Sequence, residues 1–323
     1  MEVKFSKILS DMNYLFPQLG DFGKDVSAKD TPKYLRDSKQ TGVIEKRFHT
    51  GGYAAMIFAG GTPDAAYQLV GGEKSSLLFS EFFALPESDI SDMRVIKLPD
   101  VAGRLATLAY QSKPGFQSLI KNISDWHGYT DGWKREKWSG LVEIRTETTY
   151  KLVLIWRGEL QLTDTVFSTP AGFTAEIPIL ENSGEFPWDM QVYSLSNSEP
   201  AYQYAALRYG IMKWMGAILG RYQELVGRKL LATMDQELNR QIDPWGWKIN
   251  LKETAMTDAH YFVTLQDAEH AYRELFMSMG MLMNIVIGNN LTQRLLNETF
   301  EQLFPDEREL LLSMRLIPAA FSE

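Results

Sequence analysis

A duplication limits this chain's fold more than any other feature. The stretch "TGVIEKRFHTGGYAAMIFAGGT", Thr41 to Thr62, returns 98 residues later as "SGLVEIRTETTYKLVLIWRGEL", Ser139 to Leu160. At that spacing Gly42 meets Gly140, Glu45 meets Glu143, Arg47 meets Arg145, Thr50 meets Thr148, Ile57 meets Ile155 and Gly60 meets Gly158. Similar pairs lie between them, such as Thr41 with Ser139 and Val43 with Leu141. The identities fall on turn and strand positions, which is where a repeated supersecondary unit needs them. Each copy reads as strand, polar tip, strand, turn and third strand, rich in β-branched and aromatic residues. The tip is His49, Thr50, Gly51 and Gly52 in the first copy and "TETT" in the second. The third strands are "AAYQLV" and "LQLTDTVF".

Helix-like stretches surround the copies: "DTPKYLRDSK" before the first, "VAGRLATLAYQS" between them, and "FQSLIKNISDW" before the second. Two helix-plus-sheet modules are therefore expected, at residues 1–98 and 99–197. Turns rich in Pro, "STPAGF", "EIPILENSGEFPW" and "SNSEPAYQ", close this half. From about Ser198 the apolar period changes to three and four, through Tyr204, Leu207, Ile211, Trp214, Ile218, Tyr222 and Leu225. Ala268, Tyr272, Leu275, Met279, Leu282 and Val286 repeat that period, so residues 198–323 read as a helical domain with two long antiparallel helices. The fold class is α+β: two tandem β-rich modules, each a helix plus a small antiparallel sheet, followed by an all-α hairpin or bundle.

A shorter similarity links "LVGRKLLATMDQEL" to "VIGNNLTQRLLNET", pairing Gly227 with Gly288, Leu230 with Leu291 and Glu237 with Glu298. Glycine inside a helix costs about 1 kcal/mol, so a kink or a close contact is expected at both places.

Composition narrows the possible roles. With 8 Trp, 14 Tyr and 17 Phe the chain is too rich in large apolar groups for disorder. A net charge of -8 opposes a nucleic-acid surface. The one basic run, "WKREKW" at Trp133 to Trp138, reads as a solvated helix end. There is no cysteine, hence no disulfide, thiolate site or cysteine nucleophile. No window carries the roughly 18 apolar residues of a membrane span, and no signal peptide opens the sequence. The expectation is a cytoplasmic protein without membrane insertion.

Catalytic signatures are missing. Neither G-x-S-x-G nor G-x-G-x-x-G occurs. "GGEKSS" lacks the spacing of a phosphate loop, so the glycine pairs read as turns. The densest cluster of possible ligands is Asp258, His260, Asp267, Glu269 and His270. Its spacing is not that of a helix-borne zinc site, and Asp267 reads as a helix cap with Glu269 in the first turn. No metal or other cofactor is called for.

The pattern of a helix, then Thr or Ser, Gly, two apolar residues and Glu, then an apolar strand ending in Gly, resembles the PATAN or DUF4388 type of bacterial regulatory domain. The matching residues are Gly42, Val43, Ile44, Ile57, Phe58 and Gly60, and again Gly140, Leu141, Val142, Ile155, Trp156 and Gly158. Copy one keeps a small-residue exit in "AAYQLVGG"; copy two, with "DTVFSTPAGF", matches that part incompletely. The resemblance implies a signalling scaffold and transfers no catalytic residues.

The function expected from the sequence is a non-enzymatic signalling or scaffold protein that binds a protein partner and forms a homodimer. The apolar face of the long helices would be the interface: Leu207, Ile211, Trp214, Ile218, Leu275, Met279, Leu282 and Val286. The tract "MSMGMLMN" adds flexible Met277, Met279, Met281 and Met283, a composition that suits adaptable contacts. The alternative is a small-molecule or metal sensor, with a pocket between the β half and the helical half near Trp245, Trp247, His260 and His270.

Overall fold

A computed structural model describes residues 33, 36–37, 39–71, 73–98, 100–146, 150–169, 172–173, 186–262 and 264–316. The chain divides into two compact units, 1–199 and 200–323. Two antiparallel sheets in the first unit and helices in the second make the class α+β. The helix expected in "DTPKYLRDSK" lies largely outside the described residues, although Lys33, Arg36 and Asp37 are helical.

In the first unit, strands β1 (Gly42–Phe48), β2 (Tyr53–Ala59), β3 (Thr62–Val70), β4 (Glu73–Ser76) and β5 (Ile90–Lys97) form a sheet ordered β4-β3-β2-β1-β5. The second sheet contains β6 (Lys113–Ile120), β7 (Gly140–Arg145), β8 (Tyr150–Trp156), β9 (Glu159–Thr169), β10 (Gly172–Phe173) and β11 (Trp188–Ser194). Its order, β10-β9-β8-β7-β11-β6, is the order of the first sheet with β6 added at one edge.

Strand register corrects the repeat by one residue. In the first sheet Val43 faces Ile57 and Ala59 faces Thr62; in the second, Leu141 faces Leu154 and Trp156 faces Glu159. The spacing is thus 98 along the first strand and 97 beyond the hairpin tip, because the second tip is one residue shorter. Ile57 corresponds to Leu154 rather than Ile155, and Gly158 corresponds to Gly61 rather than Gly60. The turns agree: Gly60 and Gly61 have φ of 52° and 85°, while Arg157 and Gly158 have 50° and 82°. Gly60 N donates to Thr41 Oγ1 at 3.1 Å and Arg157 N to Ser139 Oγ at 3.0 Å. The Thr50 and Thr148 pair cannot be followed, since Thr148 lies outside the described residues.

At the 97-residue spacing the repeat also reaches the last strands. "SDMRVIK" in β5 matches "WDMQVYS" in β11, with Asp92, Met93 and Val95 standing where Asp189, Met190 and Val192 stand. Each aspartate faces the repeated arginine, Arg47 opposite Asp92 and Arg145 opposite Asp189.

Among the described residues, three helices pack on the sheets. Helix α1 (Phe79–Ala84) buries Phe82 against Ile44, Met56 and Phe58. Helix α2 (Asp100–Gln111) packs on β1 and β2 of the first sheet and on β9 of the second. Its Thr107 Oγ1 donates to Asp64 Oδ2 at 2.7 Å, and its buried Arg104 donates to buried Asp164 at 2.6 and 2.9 Å. The expected boundary at residue 98 is therefore no division between compact bodies, because both sheets use the same helix.

Helix α3 (Ile123–Glu136) sets Trp126 and Trp133 against Ile120, Trp188 and Met190 of the second sheet. It starts later than expected: "FQSLI" belongs to strand β6, and Asn122 caps the helix by accepting from Asp125 N at 3.1 Å. Lys134 and Arg135 occupy its exposed last turn, where the helix dipole favours cations. The β8–β9 turn lies so close to this helix that a Cβ on Gly158 would sit 2.4 Å from Lys134 Cα.

The second unit comprises α4 (Pro200–Val226), α5 (Arg228–Ile242), β12 (Ile249–Lys252), β13 (Ala255–Asp258), α6 (Leu265–Ile287), α7 (Asn289–Phe300) and α8 (Pro305–Ser313). The two similar glycines do more than kink a helix. Gly227 and Gly288, at φ 80° and 78°, each end one helix and open the next. Gly227 N donates to Gln223 O at 2.8 Å and Gly288 N to Asn284 O at 3.1 Å.

At this spacing of 61 (288 − 227) the core matches as well. Leu207, Ile211, Trp214, Met215, Ile218 and Tyr222 are buried, and so are Ala268, Tyr272, Leu275, Phe276, Met279 and Met283. The unit is a duplicated pair of a long helix and a short one. Between the copies lies the β12–β13 hairpin, which the sequence analysis did not anticipate.

Candidate functional site

The expected interface lies mostly inside the helical unit. Leu207, Ile211, Trp214, Ile218, Leu275 and Met279 are all buried in its own core. Trp214 shows why: its ring stacks on Phe276 at 4.5 Å and meets Phe300 edge-on at 5.0 Å, and Nε1 donates to Thr299 Oγ1 at 3.1 Å. The assignment to an intermolecular surface is corrected by the partners themselves, since α4 packs against α5, α6, α7 and α8 of the same chain. Of the eight residues, Leu282 is half-buried against this core and Val286 is 46% exposed.

What remains exposed is a different face of α6. Met277, Met281 and Ile285, spaced by four, are 43%, 59% and 81% exposed and form one uncharged stripe. Their counterparts on α4, 61 residues earlier, are Gly216, Gly220 and Glu224. There the β12–β13 hairpin lies against the helix, and a Cβ on Gly216 would come within 3.3 Å of Thr254 O. Gly216 thus admits the hairpin turn, while Gly220 faces open space.

Trp245, Trp247, His260 and His270 do come together. The two tryptophans stack at 5.2 Å, His270 lies edge-on to Trp245 at 6.1 Å, and His260 lies 4.4 Å from Phe262. Phe262 in turn contacts Trp247 and Tyr272. Behind this cluster Asp258 is fully buried. Its Oδ2 accepts from Tyr272 at 2.5 Å, its Oδ1 accepts from His260 N at 2.8 Å, and Arg208 pairs with it at 3.7 Å. Burial, and then the charge of Asp258, push the Tyr272 phenol well above its ordinary pKa. These groups form a structural knot, because Tyr272, His260 and Arg208 hold the carboxylate from within the same unit.

The remaining acids do not converge on Asp258. Thr264, rather than Asp267, is the α6 cap; its Oγ1 accepts from Asp267 N at 3.1 Å and donates to Asp267 Oδ2 at 2.7 Å. Glu269 pairs with Arg273. Among the described residues no group of three His, Asp or Glu side chains is placed to hold a metal ion. Tyr272 and Arg208 were missed as members of the knot; the visible signal was a lone arginine inside an apolar helical window.

A second concavity, about 440 Å³, lies on the second sheet and includes Gln117, Glu143, Arg145, Asp189, Gln191 and Tyr193. Glu143 accepts from Tyr193 Oη at 2.8 Å and pairs with Arg145. Gln191 Nε2 donates to Phe116 O at 3.0 Å and Val192 O at 2.8 Å. Its polar groups answer one another, and the Glu-Arg pair recurs in the first sheet as Glu45 and Arg47 at 2.7 Å. A face kept in both copies and satisfied internally suits a structural role.

Comparison with protein-family models, with curated proteins and with solved structures finds no match.

Proposed function

We propose that this chain is a non-catalytic regulatory or scaffold protein that engages protein partners and pairs with a second copy of itself through the exposed face of α6. The observation that carries the reading is the exposed stripe Met277, Met281 and Ile285, whereas the repeat counterpart on α4 begins at Gly216, which lies against the chain's own hairpin. An uncharged stripe of flexible Met and Ile is complementary to itself across a two-fold axis, so two copies can bury it without matching charges. Full burial of each such side chain contributes about 1.5–3 kcal/mol, which six residues across a two-fold can raise above the lower estimates of association cost.

The resemblance of the repeated sequence motif to PATAN or DUF4388-type domains supports a bacterial signalling setting, and a cytoplasmic location belongs to the same reading. No helix among the described residues is long and apolar enough to cross a membrane. The test is light scattering after size exclusion on the full chain and on Met281→Glu/Ile285→Glu. A wild-type dimer and a folded, monomeric double variant are expected. A wild type that stays monomeric at about 100 µM, a dissociation constant weaker than roughly 5.5 kcal/mol, would overturn self-association through α6.

A further inference from the structure

Where α4 meets α5, beside the β12–β13 turn, lies a half-open cavity of about 480 Å³. Its polar lining is Gln223, Glu224, Arg228, Asp235, Glu253 and Thr254. Asp235 is only 6% exposed. Its Oδ2 accepts from Glu253 N at 2.7 Å, while its Oδ1 has no hydrogen-bond partner among the described residues. An unanswered buried carboxylate oxygen is costly, and native structures keep one where something else supplies the missing donor.

The charges around it favour a cation. Three carboxylates, Glu224, Asp235 and Glu253, stand against Arg228, and Glu224 is also engaged by Arg221 at 2.6 Å. Leu231 and Ala232 add apolar wall, and a Cβ on Gly220 would meet nothing within 4 Å, so the floor is open. The turn is built around the acid: Glu253 holds φ of 57° at the first of two turn positions, a place where glycine is the favoured residue. Asn239 fixes the hairpin above α5, with Nδ2 donating to Leu251 O at 2.8 Å and Oδ1 accepting from Leu251 N at 2.9 Å.

We propose that this cavity binds an organic cation bearing N–H donors, an ammonium or guanidinium group, with the Asp235 carboxylate as its principal acceptor. A metal ion fits less well, since the described carboxylates do not assemble into a three-ligand set, whereas an ammonium needs single acceptors around a point and an apolar wall for its carbon stem. Burial raises the Asp235 pKa, against the hydrogen bond from Glu253 N, which is the direction expected of a carboxylate lacking its counter-charge. The site is independent of the α6 stripe, so either assignment can fail alone.

The experiment is isothermal titration of the full chain with 1,4-diaminobutane, with N-acetyl-arginine amide, and separately with magnesium and calcium chloride, in wild type, Asp235→Asn and Glu253→Gly. Melting curves without ligand establish that the variants fold. Asp235→Asn keeps an acceptor for Glu253 N and Glu253→Gly suits the turn, so both should melt at or above the wild-type temperature. Saturable binding of at least one organic cation is expected, weakened about tenfold or more by Asp235→Asn. Tighter diamine binding identifies a free small amine, tighter arginine-amide binding identifies a side chain of a polypeptide, and either supports the proposal. It is overturned if neither saturates by about 10 mM, if Asp235→Asn binds as wild type does, or if only a divalent ion binds and Asp235→Asn removes it.

Discussion

The two halves of the helical repeat share an interior and differ on one outer face. Each has a long helix, a glycine break and a short helix, and the buried positions correspond from Leu207 and Ala268 to Tyr222 and Met283. On the outer face Gly220 and Glu224 in the first half stand where Met281 and Ile285 stand in the second, and among the buried positions Asp235 stands where Leu296 does. The first face carries small and charged residues beside a hairpin; the second is apolar and open. Interior positions are held by mutual packing, where the loss of a methylene is felt, while a surface position is free to change once the fold is secure. Duplication here doubled one scaffold whose two outer faces differ in polarity and in what lies beside them.

The largest expected effect tests the shared interior. Trp214→Ala should destabilise the helical unit by about 3–5 kcal/mol, and its counterpart Leu275→Ala by about 2–5 kcal/mol, as measured by denaturant unfolding. A negligible cost at either position would break the equivalence of the cores. Next come the breaks. Gly227 and Gly288, at φ 80° and 78° with ψ 168° and 160°, occupy a region close to glycine-only. Replacing either by Ala should cost about 1–3 kcal/mol, and similar values would confirm that both copies depend on the same geometry.

A smaller effect sharpens the difference between the faces. The folded-state pKa of Asp235 is raised, so between its unfolded and folded values the native state binds more protons and wild-type stability falls as pH rises. Asp235→Asn lacks this loss: it should melt higher than wild type near neutral pH, with the gap closing as the medium becomes acidic. Equal melting temperatures at all pH values would remove the uncompensated charge from the account. Smallest in stability is Ile285→Glu, expected to fall within about 0.5 kcal/mol of wild type while altering the molecular mass in solution.

Much of this architecture was visible in the amino-acid pattern, and the parts that were not have physical reasons. The duplicated sheet, the change of period near Ser198 and an interruption at Gly227 and Gly288 show in residue spacing; that each glycine ends one helix and opens the next does not. The slip from 98 to 97 does not, because a comparison without gaps cannot register a tip shortened by one residue. The Asp-Met-x-Val identity of β5 and β11 was present to be found at the corrected spacing. The β12–β13 hairpin escaped notice since each strand has only four residues, too few for alternation to stand out.

The interface assignment failed for a deeper reason. An apolar helix face shows that something covers it, and Leu207 or Met279 cannot reveal whether the cover is another chain or the same one. The candidate cation site depends on what is missing around Asp235 Oδ1, and a missing partner is a property of three-dimensional contact that spacing does not encode.

Helix α2 leaves a mark on how the chain comes into being. The first sheet is complete in strands once Lys97 has been synthesised, yet the helix that packs on β1 and β2 follows at residues 100–111 and also needs Asp164 of the second copy as the partner of Arg104. On the ribosome that helix is available to the earlier sheet as soon as residue 111 has been made, whereas its buried Arg104 meets the Asp164 carboxylate only after 53 further residues (164 − 111). The second copy thus supplies the counter-charge for a helix that the first copy shares.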